Sequence, residues 1–437
     1  MLQTLLNAFK VPDLRKKLLY TAMIILVFRI GAAIPVPFTD ASGGIVDAGA
    51  GNFMNYLTMM TGDAFNYGTL VAMSITPYIN SSIIIQLLTV AIPYLERLSK
   101  EGEEGRKKIT LITRYAAVII GLLQSTAYYF YLRSGKFLAV GANGAAFTGV
   151  YAALQAAAVI LALTAGSALL IWLGEQINAK GIGNGISMIL FAGIVSRMPT
   201  TLTGIYQYFS QGGLYYLYAP LALAIMILSV VFIVWMDNSE RRIPVQYAKR
   251  VVGRKMYGGQ NTHMPIKVNM SGVMPIIFAS SILSLVPTLE MFFTVKEGSR
   301  LATFFNMFNQ THWFYAVVYF IMIIFFAYFY STIQYNPVEM ANNLRKNSGA
   351  IPGIRPGKPT SDYIMKILSR ITLIGALLLS VIALSPILFA QITLLTGKAM
   401  NISLGGTSVI IMVGVALETV RQLESQMMMR HYKGFLD

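Results

Sequence analysis

Apolar stretches of membrane-spanning length alternate with short polar segments along the whole chain. A helix that crosses a bilayer needs roughly 20 mostly apolar residues. Ten stretches meet this requirement, at residues 18–36, 70–92, 109–132, 151–173, 182–205, 214–236, 271–289, 313–333, 364–388 and 402–420. The pattern predicts an all-α integral membrane protein with ten transmembrane helices. Because ten is even, both termini are predicted to lie on the same side.

The composition of the 437-residue chain agrees with this prediction. Hydrophobic residues make up 55% of it and charged residues 12%, which is too apolar for a soluble globular domain. There is no cysteine, so neither a disulfide framework nor a thiolate metal site is expected. The N-terminal MLQTLLNAFKVPDLRKKLLY has no small-residue cleavage site and runs into a full-length span, so we expect it to be retained.

Positive charges fall mostly on one side of the predicted helices. If the N-terminus is cytoplasmic, most of the 34 lysines and arginines lie in cytoplasmic segments, as the positive-inside rule requires. The opposite side holds only Arg133, Lys136, Arg197, Lys296, Arg300 and Lys398. Arg29 and Arg114 lie near span ends, where we expect their side chains to extend to the interface. Both termini are therefore predicted to be cytoplasmic.

Two of the predicted cytoplasmic loops are longer and more basic than topology requires. Residues 237–270 hold seven positive charges against Asp237 and Glu240, and residues 336–364 are rich in Gly and Pro around Arg355. Such loops either fix orientation and stay solvated, or bind a large partner with an acidic protein surface or structured RNA. We favour the second interpretation. The candidate docking residues are Arg241, Arg242, Lys249, Arg250, Arg254, Lys255, Arg355 and Lys358.

Enzymatic and metal-binding motifs are weak in this sequence. The segment GIRPGKPT, residues 353–360, has the wrong spacing for a phosphate loop and follows no apolar strand. His263, His312 and His431 lie in separate segments without carboxylates at ligand spacing. The glycines of KGIGNGIS, residues 180–187, precede a span and indicate a tight helix start. We expect no catalytic residue, no cofactor and no metal.

The second predicted span carries an aliphatic stripe beside a polar one. Ile75, Ile79 and Ile83 recur every four residues, and a Ser and a Gln four residues apart occupy the adjacent face. Polar groups of this kind either hold membrane helices together or line a seam that water can enter. The preceding GNFMNYLTMMTGDAFNYGT, residues 51–69, is Met-rich, amphipathic and too short to span. This segment favours the second interpretation, in which a funnel leads to a polar seam beside the second span.

An ion-coupled transporter also fits ten spans with broken helices. Such proteins usually keep ionisable groups near the membrane midplane to bind the coupling ion. The predicted spans have no central Asp, Glu, Lys or His, since Glu175, Glu290 and Glu418 lie in loops or toward span ends. The transporter is therefore the less favoured alternative.

Five stretches of sequence carry a family resemblance. The first two are AMSITPYINSSIIIQLLT at residues 72–89 and WLGEQINAKGIGNGIS at residues 172–187. The others are RRIPVQYAKRVVGRKMYGGQNTHMPIKVNMSGVMPIIFA (241–279), IPGIRPGKPTSDYI (351–364) and LGGTS (404–408). In this order, over nearly the whole chain, they resemble the SecY family, the central subunit of the Sec protein-conducting channel. Ser74 stands where members often have Gly, and Leu190 where Ile is common.

The resemblance implies two pseudo-symmetric halves that close like a clamshell around a central pore. Residues 1–210 would form spans one to five, and residues 211–437 spans six to ten. The implied pore ring is Ile75, Ile79, Ile83, Ile186, Leu190, Ile277 and Ile411. The implied lateral gate, between spans two and seven, holds Asn80, Ser82, Gln86, Ser280 and Ser281. The implied plug lies within residues 52–67 and includes Asn52, Phe53, Met54, Asn55, Tyr56, Leu57, Met59, Met60 and Phe65.

The resemblance also implies function and partners. The chain would translocate unfolded preproteins and release signal sequences and transmembrane segments laterally into membrane lipid. Without a nucleotide site of its own, it would be driven by the SecA ATPase or by a translating ribosome with its ribosomal RNA, docked on the two basic loops. SecE and SecG would be its membrane partners in the plasma (inner) membrane. A purely aliphatic waist fits this role, because water leaves it and ions then meet a desolvation barrier.

Overall fold

The computed structural model consists of helices and one small sheet domain. It describes residues 8–40, 44–45, 58, 61–139, 147, 149–247, 250–252, 255–257, 261–290, 299–309, 312–396 and 406–433. Of the nine named residues of the predicted plug, only Phe65 is among the described residues, and the candidate docking residues Lys249 and Arg254 lie outside them.

The first half of the chain forms seven described helices. They are α1 Pro12–Gly31, α2 Thr76–Ala91, α3 Pro93–Lys100, α4 Glu103–Ser134, α5 Val150–Lys180, α6 Gly185–Ser196 and α7 Met198–Ser210. Helices α6 and α7 follow each other with only Arg197 between them.

The second half adds further helices and the strands. Its helices are α8 Tyr215–Asn238, α9 Met274–Glu290, α10 Arg300–Met307, α11 Trp313–Gln334, α12 Pro337–Lys346, α13 Lys358–Leu395 and α14 Gly406–Lys433. Its strands are β1 Glu240–Tyr247, β2 Arg250–Val252, β3 Lys255–Tyr257, β4 Asn261–Lys267 and β5 Gly349–Ala350. One sheet has the antiparallel order β4-β1-β5, and β2 pairs with β3 in a separate hairpin.

Each of the ten predicted spans contains a helix. Within the described residues, seven helical stretches are long and apolar enough to cross a membrane, and the bent pair α2–α3 makes an eighth. Two further helices fall outside this count. Helix α9 is apolar but, with 17 residues, slightly too short, and α1 begins with the charged sequence PDLRKK. Length and composition thus show seven or eight spans, and α1 and α9 fit the two remaining predicted positions. The chain is therefore an all-α membrane protein with a small extramembrane sheet.

The limits of α2 differ from the predicted span 70–92 for two local reasons. Residues 70–75 form consecutive turns, with Ser74 at φ 51°, so the helix begins only at Thr76 with Pro77 in its first turn. Pro93 follows the other end, and the chain bends by 101° into α3. Proline has no amide hydrogen and cannot continue the ladder of an existing helix, but it fits a first turn. Ile75 is therefore the N-cap of α2 rather than an interior residue.

The glycines of residues 180–187 produce the tight helix start predicted from the sequence. The Asn184 side chain caps α6 by accepting a hydrogen bond from the Ile186 amide at 3.2 Å. A Cβ atom at Gly185 would lie 1.9 Å from the Gly174 carbonyl oxygen of α5. Only glycine permits this approach of two backbones.

One apolar cluster joins the two halves of the chain. Its buried residues come from both, including Leu170 and Ile189 of the first half and Phe278, Leu379 and Val409 of the second. Because the cluster is continuous between the halves, neither half has a separate core in the centre of the bundle.

The sheet identifies one end of the helical bundle. Arg421 of α14 contacts Asp237 Oδ2 at 2.9 Å, and Asp237 lies just before β1. Leu14 at the start of α1 packs with Ile182 and with Leu423 of α14. The beginning of α1, the start of the sheet and the later part of α14 therefore lie at the same end, which we call the sheet end.

Ser74 is a strained position just before α2. Its φ of 51° lies in the left-handed region, which costs a non-glycine residue about 1 kcal/mol. The side chain is 1% exposed, and its hydroxyl has no hydrogen-bond partner among the described residues. A buried hydroxyl without a partner costs a further amount of similar size.

Replacing Ser74 with Gly is therefore expected to stabilise the protein by about 1 kcal/mol, seen as a higher thermal unfolding midpoint in lipid nanodiscs. Ser81→Gly is the matched control, because Ser81 lies within α2 and donates to the Thr113 carbonyl at 2.6 Å. That change removes a hydrogen bond and places Gly inside a helix, so it should lower the midpoint. A midpoint lowered by Ser74→Gly would contradict the strain at this position.

Candidate functional site

All seven residues of the predicted ring belong to the central apolar cluster or pack against it. Five of them are buried members of the cluster: Ile75, Ile79, Ile83, Leu190 and Ile411. The other two, Ile186 and Ile277, are half-buried and pack against it. They come from four elements that are distant in sequence, namely α2 with its N-cap, α6, α9 and α14. Ile75 keeps its place in the stripe outside the helix, because its carbonyl accepts from the Ile79 amide at 3.1 Å.

The seven ring side chains are all Ile or Leu. Helices α2 and α6 contain no Asp, Glu, Lys, Arg or His, and α9 contains one charged residue, Glu290, at its end. Aliphatic groups make no directional bonds, so they can separate and pack again without breaking hydrogen bonds. An ion in this region would lose its hydration shell and gain no compensating charge.

Helices α2 and α9, which carry the predicted gate residues, are in contact. Asn80 is 4% exposed, and its Nδ2 has no partner among the described residues. Gln86 Nε2 donates to Ser82 Oγ at 3.2 Å, and Ser280 Oγ donates to the Ile277 carbonyl at 3.0 Å. These two hydrogen bonds run along each helix, so separation of α2 from α9 would leave them intact.

The predicted seam has an opening at the N-terminal end of α2. A small cleft lies among α2, α4 and α9, lined by Phe65, Ala72, Met73, Thr76, Gln124, Tyr128, Ser284 and Thr288. Ser281, the remaining predicted gate residue, is buried, and its carbonyl accepts from Ser284 Oγ at 2.6 Å. The cleft thus has both polar and apolar lining at the N-terminal end of α2.

The two basic loops, which are distant in sequence, form a single structure. Strand β1 of the first loop pairs with β5 of the second, where Tyr247 is opposite Gly349. Ile243 and Ile266 of the sheet pack in one buried cluster with Ala341 of α12, with Ile351 just after β5 and with residues of α13. We call the sheet with α12 the platform. Its position is fixed by both backbone pairing and apolar burial.

The candidate docking residues lie around this platform. Arg241, Arg242, Arg355 and Lys358 are exposed, and Arg242 forms an ion pair with Glu240 at 2.7 Å. Gly353 and Gly357, at φ 81° and 108°, frame the turn that carries Arg355. Thr360 Oγ1 donates to the Arg355 carbonyl at 2.9 Å, which fixes that turn. Arg250 and Lys255 are described only by their places in β2 and β3.

The sequence did not reveal several charged contacts. Arg114, expected at the membrane interface, forms an ion pair with Glu175 of α5. Arg29, with the same expectation, donates to Ser196 Oγ at 2.9 Å. Arg197 lies 3.1 Å from Asp63 Oδ1. A sequence signal did exist for the last contact, since Asp63 is the sole carboxylate between residues 48 and 95.

Two carboxyl groups outside the spans have shifted pKa values. Burial raises the pKa of Asp63, and the nearby Arg197 and Arg29 oppose this shift. A hydrogen bond and the charge of Lys100 lower the pKa of the exposed Glu96. Loss of solvent therefore dominates the pKa of Asp63, whereas the contact with Lys100 dominates the pKa of Glu96.

Comparison with known proteins identifies the family. The SecY family model matches residues 69–420 of the chain. The chain belongs to the SecY family. The protein translocase subunit SecY of Mycobacterium bovis is 41% identical over 455 residues, covering 100% of both chains. The SecY subunits of Streptomyces galbus and Streptomyces scabiei are 41% and 42% identical, again over 100% of both chains.

Solved structures of translocation channels share the fold. A structure described as that of a protein conducting channel covers 94% of this chain and 92% of its own, with a TM-score of 0.64 and 19% identity. Sec61 in the canine ribosome-channel complex from the endoplasmic reticulum gives a TM-score of 0.60 at 17% identity, covering 94% and 92%. Together with the close SecY relatives, this fold makes the chain a membrane-embedded protein translocation channel.

Wetting of the aliphatic ring is expected to open an ion path. A triple variant in which Ile79, Ile186 and Ile277 are each changed to Ser should have a higher resting ion conductance in a planar bilayer, because water then fills the waist. The matched control changes Ile119, Ile227 and Ile321 to Ser, since these three side chains lie on the outer surface of the bundle. Equal conductance in the ring variant and the wild type, both folded, would contradict the ring.

Proposed function

We propose that the seven aliphatic side chains form the constriction of a passive polypeptide pore. The observation that carries this proposal is that the seven side chains come from four elements distant in sequence and belong to one apolar cluster, while α2 and α6 contain no Asp, Glu, Lys, Arg or His. An extended polypeptide passes through such a waist because branched side chains can move around it, and ions are excluded when it is empty. The chain itself is assigned no catalytic step.

The seam between α2 and α9 is proposed as the lateral exit to lipid. Signal sequences and transmembrane segments would leave through this seam. Separation of α2 from α9 would not break the Gln86–Ser82 hydrogen bond within α2 or the Ser280–Ile277 hydrogen bond within α9. The unpartnered Asn80 Nδ2 gives the closed seam a polar group that gains a partner when a peptide or water enters. The halves 1–210 and 211–437 are proposed to move apart at this seam.

The platform is proposed to bind the partner that supplies energy. Exposed guanidinium groups on a fixed sheet suit an acidic protein groove or nucleic-acid phosphates. These are the surfaces of the SecA ATPase and of a translating ribosome with its ribosomal RNA. The canine Sec61 structure in a ribosome-channel complex supports the second partner. SecE and SecG are the proposed membrane subunits, and residues 52–67 the proposed plug.

A plasma membrane location is proposed with the function, and the distribution of lysine and arginine supports an orientation with both termini cytoplasmic. In this orientation the platform faces the cytoplasm, where both proposed driving partners are found. The opposite end of the bundle then faces outward.

Reconstitution tests the proposed function. Vesicles containing the chain with SecE are expected to protect a preprotein from external protease only when SecA and ATP are added. Uptake of a small solute without any protected polypeptide would instead support an ion-coupled transporter. Omission of ATP is the internal control, because a passive pore does no work by itself.

Charge reversal on the platform tests docking separately. We expect Arg355→Glu to insert and seal normally, since a lone exposed charge contributes about 0 to 1 kcal/mol to folding. Binding to SecA or to ribosomes should fall by at least tenfold at physiological salt, the loss expected for one bidentate contact. Lys107→Glu, which reverses an exposed cation near the start of α4 and outside the platform, is the control for net charge. Wild-type affinity in Arg355→Glu would mean that this loop serves topology alone.

A further inference from the structure

Arg421 of α14 forms three contacts with the residues that connect α8 to the platform. Its Nη1 lies 2.9 Å from Asp237 Oδ2, and its Nη2 donates to the Asp237 carbonyl at 3.0 Å. The same Nη2 donates to Asn238 Oδ1 at 2.9 Å. Asp237 and Asn238 end α8, and β1 begins two residues later. The guanidinium group therefore holds the C-terminal end of α8, where the helix dipole also favours a positive charge.

The chain returns from the platform to the membrane at the same place. After β4, the Val268 amide donates to the Ser239 carbonyl at 2.9 Å, and Asn269 Nδ2 donates to Asp237 Oδ1 at 3.5 Å. Helix α9 begins five residues after Asn269. Asp237 thus joins the end of α8, the segment that leads to α9, and α14. We define the platform base as residues 237–239 and 268–269.

The two helices that follow from the platform base both carry residues of the proposed ring. Ile411 lies ten residues before Arg421 on α14, and Ile277 lies in the first turn of α9. Helix α14 has no proline between Ile411 and Arg421, so it can move as one rod. A Cβ at Gly414 would lie 2.6 Å from Cγ2 of Val273, the residue before α9. A displacement of the platform base would therefore move both helices.

The contact is partly shielded from solvent. The Asp237 side chain is 14% exposed and that of Arg421 is 35% exposed. Asn269 Oδ1 is buried beside them and has no hydrogen-bond partner among the described residues. The exposed Lys100–Glu96 pair, in contrast, has side chains that are 73% and 50% exposed. A shielded guanidinium group with three acceptor contacts holds its geometry better than an exposed pair does.

We propose that the Arg421–Asp237 contact is the joint through which docking on the platform displaces α14 and α9 and widens the waist for a polypeptide. Arg421 and Asp237 are positioning residues in this role, because they act through the helices that carry the ring. The proposal rests on the proposed function, in which the platform binds the driving partner. It assigns to Arg421 a part in translocation that is separate from docking.

Loss of the contact should separate partner binding from translocation. In vesicles containing the channel with SecE, we expect Arg421→Gln and Asp237→Asn to bind SecA with wild-type affinity. With ATP, they should protect a preprotein roughly tenfold more slowly, the factor for loss of one charge-assisted hydrogen bond. Glu96→Gln is the matched control, because it breaks the exposed Lys100–Glu96 pair outside the platform. It should translocate like the wild type.

The absence of cysteine from the chain permits a direct measurement of opening. Spin labels on Ile84→Cys of α2 and Leu285→Cys of α9, both exposed positions, report the distance between these helices. When SecA and a non-hydrolysable ATP analogue bind, this distance should lengthen in the otherwise unchanged channel. With Arg421→Gln or Asp237→Asn, the ratio of long to short distances should be roughly tenfold lower. Without SecA, both variants should show the wild-type distance, which a general loss of structure would change.

Two further variants test whether the charged contact itself carries the effect. Arg421→Lys keeps the charge but lacks the planar fork, so it should recover part of the lost rate. The double variant Arg421→Gln with Asp237→Asn should be no slower than either single variant, because all three remove the same contact. No recovery in Arg421→Lys would overturn the proposal. So would losses that multiply in the double variant.

The outcomes also separate this proposal from the proposed function. If the wild type protects a preprotein and both neutralised variants do so equally well, the joint is wrong and the channel function stands. If both variants lose affinity for SecA, the contact serves only to build the docking surface, and the proposal is again overturned. If the wild type protects no preprotein, the proposed function fails, and the joint fails with it.

Discussion

Backbone amide and carbonyl groups that cross a bilayer must be hydrogen-bonded within the protein, and this constraint shapes the whole chain. It makes every spanning segment a helix and restricts irregular backbone to places that are covered by protein or lead to a cavity. In this channel the interruptions occur at residues 61–75, at Ile92 between α2 and α3, and at Arg197 between α6 and α7. Residues 61–75 contact the joint at Arg197 through Asp63, whose Oδ1 lies 3.1 Å from Arg197 Nη2. The same residues lead directly to Ile75 of the proposed ring.

A channel that must stay closed and yet open for a polypeptide needs contacts of moderate strength. The proposed ring supplies them through aliphatic packing, which is large in sum but has no directional bonds to break. The proposed α2–α9 gate supplies them through polar residues such as Gln86 and Ser280, which donate hydrogen bonds within their own helices. Arg197 adds an ion pair with Asp63 at 3.1 Å, in which two buried guanidinium nitrogens have no partner among the described residues. Closed and open arrangements that differ by a few kcal/mol can then be shifted by a bound substrate or partner.

The platform, in contrast, is held by extensive strand pairing and apolar burial. Its strands are paired along their length, and the cluster of Ile243, Ile266 and Ile351 is buried beneath them. Backbone pairing and apolar burial hold this surface in one shape. The Arg421 contacts with Asp237 and Asn238 join α14, which carries Ile411, to the end of α8 just before β1. The proposed docking surface and the proposed pore waist therefore occupy different parts of one molecule.

The sequence by itself determined the membrane class, the positions of the spans and the stripe of Ile75, Ile79 and Ile83, because hydropathy and helical periodicity are local properties. It also indicated the tight start of α6 and the two basic loops. Only the tertiary structure decided that those loops share one sheet, that α2 begins after a strained Ser74, and that Arg29 and Arg197 bind the loop containing Asp63. The shared sheet and the two arginine contacts join residues more than 30 positions apart. Such contacts leave no periodic signal in the chain, since they arise only when the helices pack.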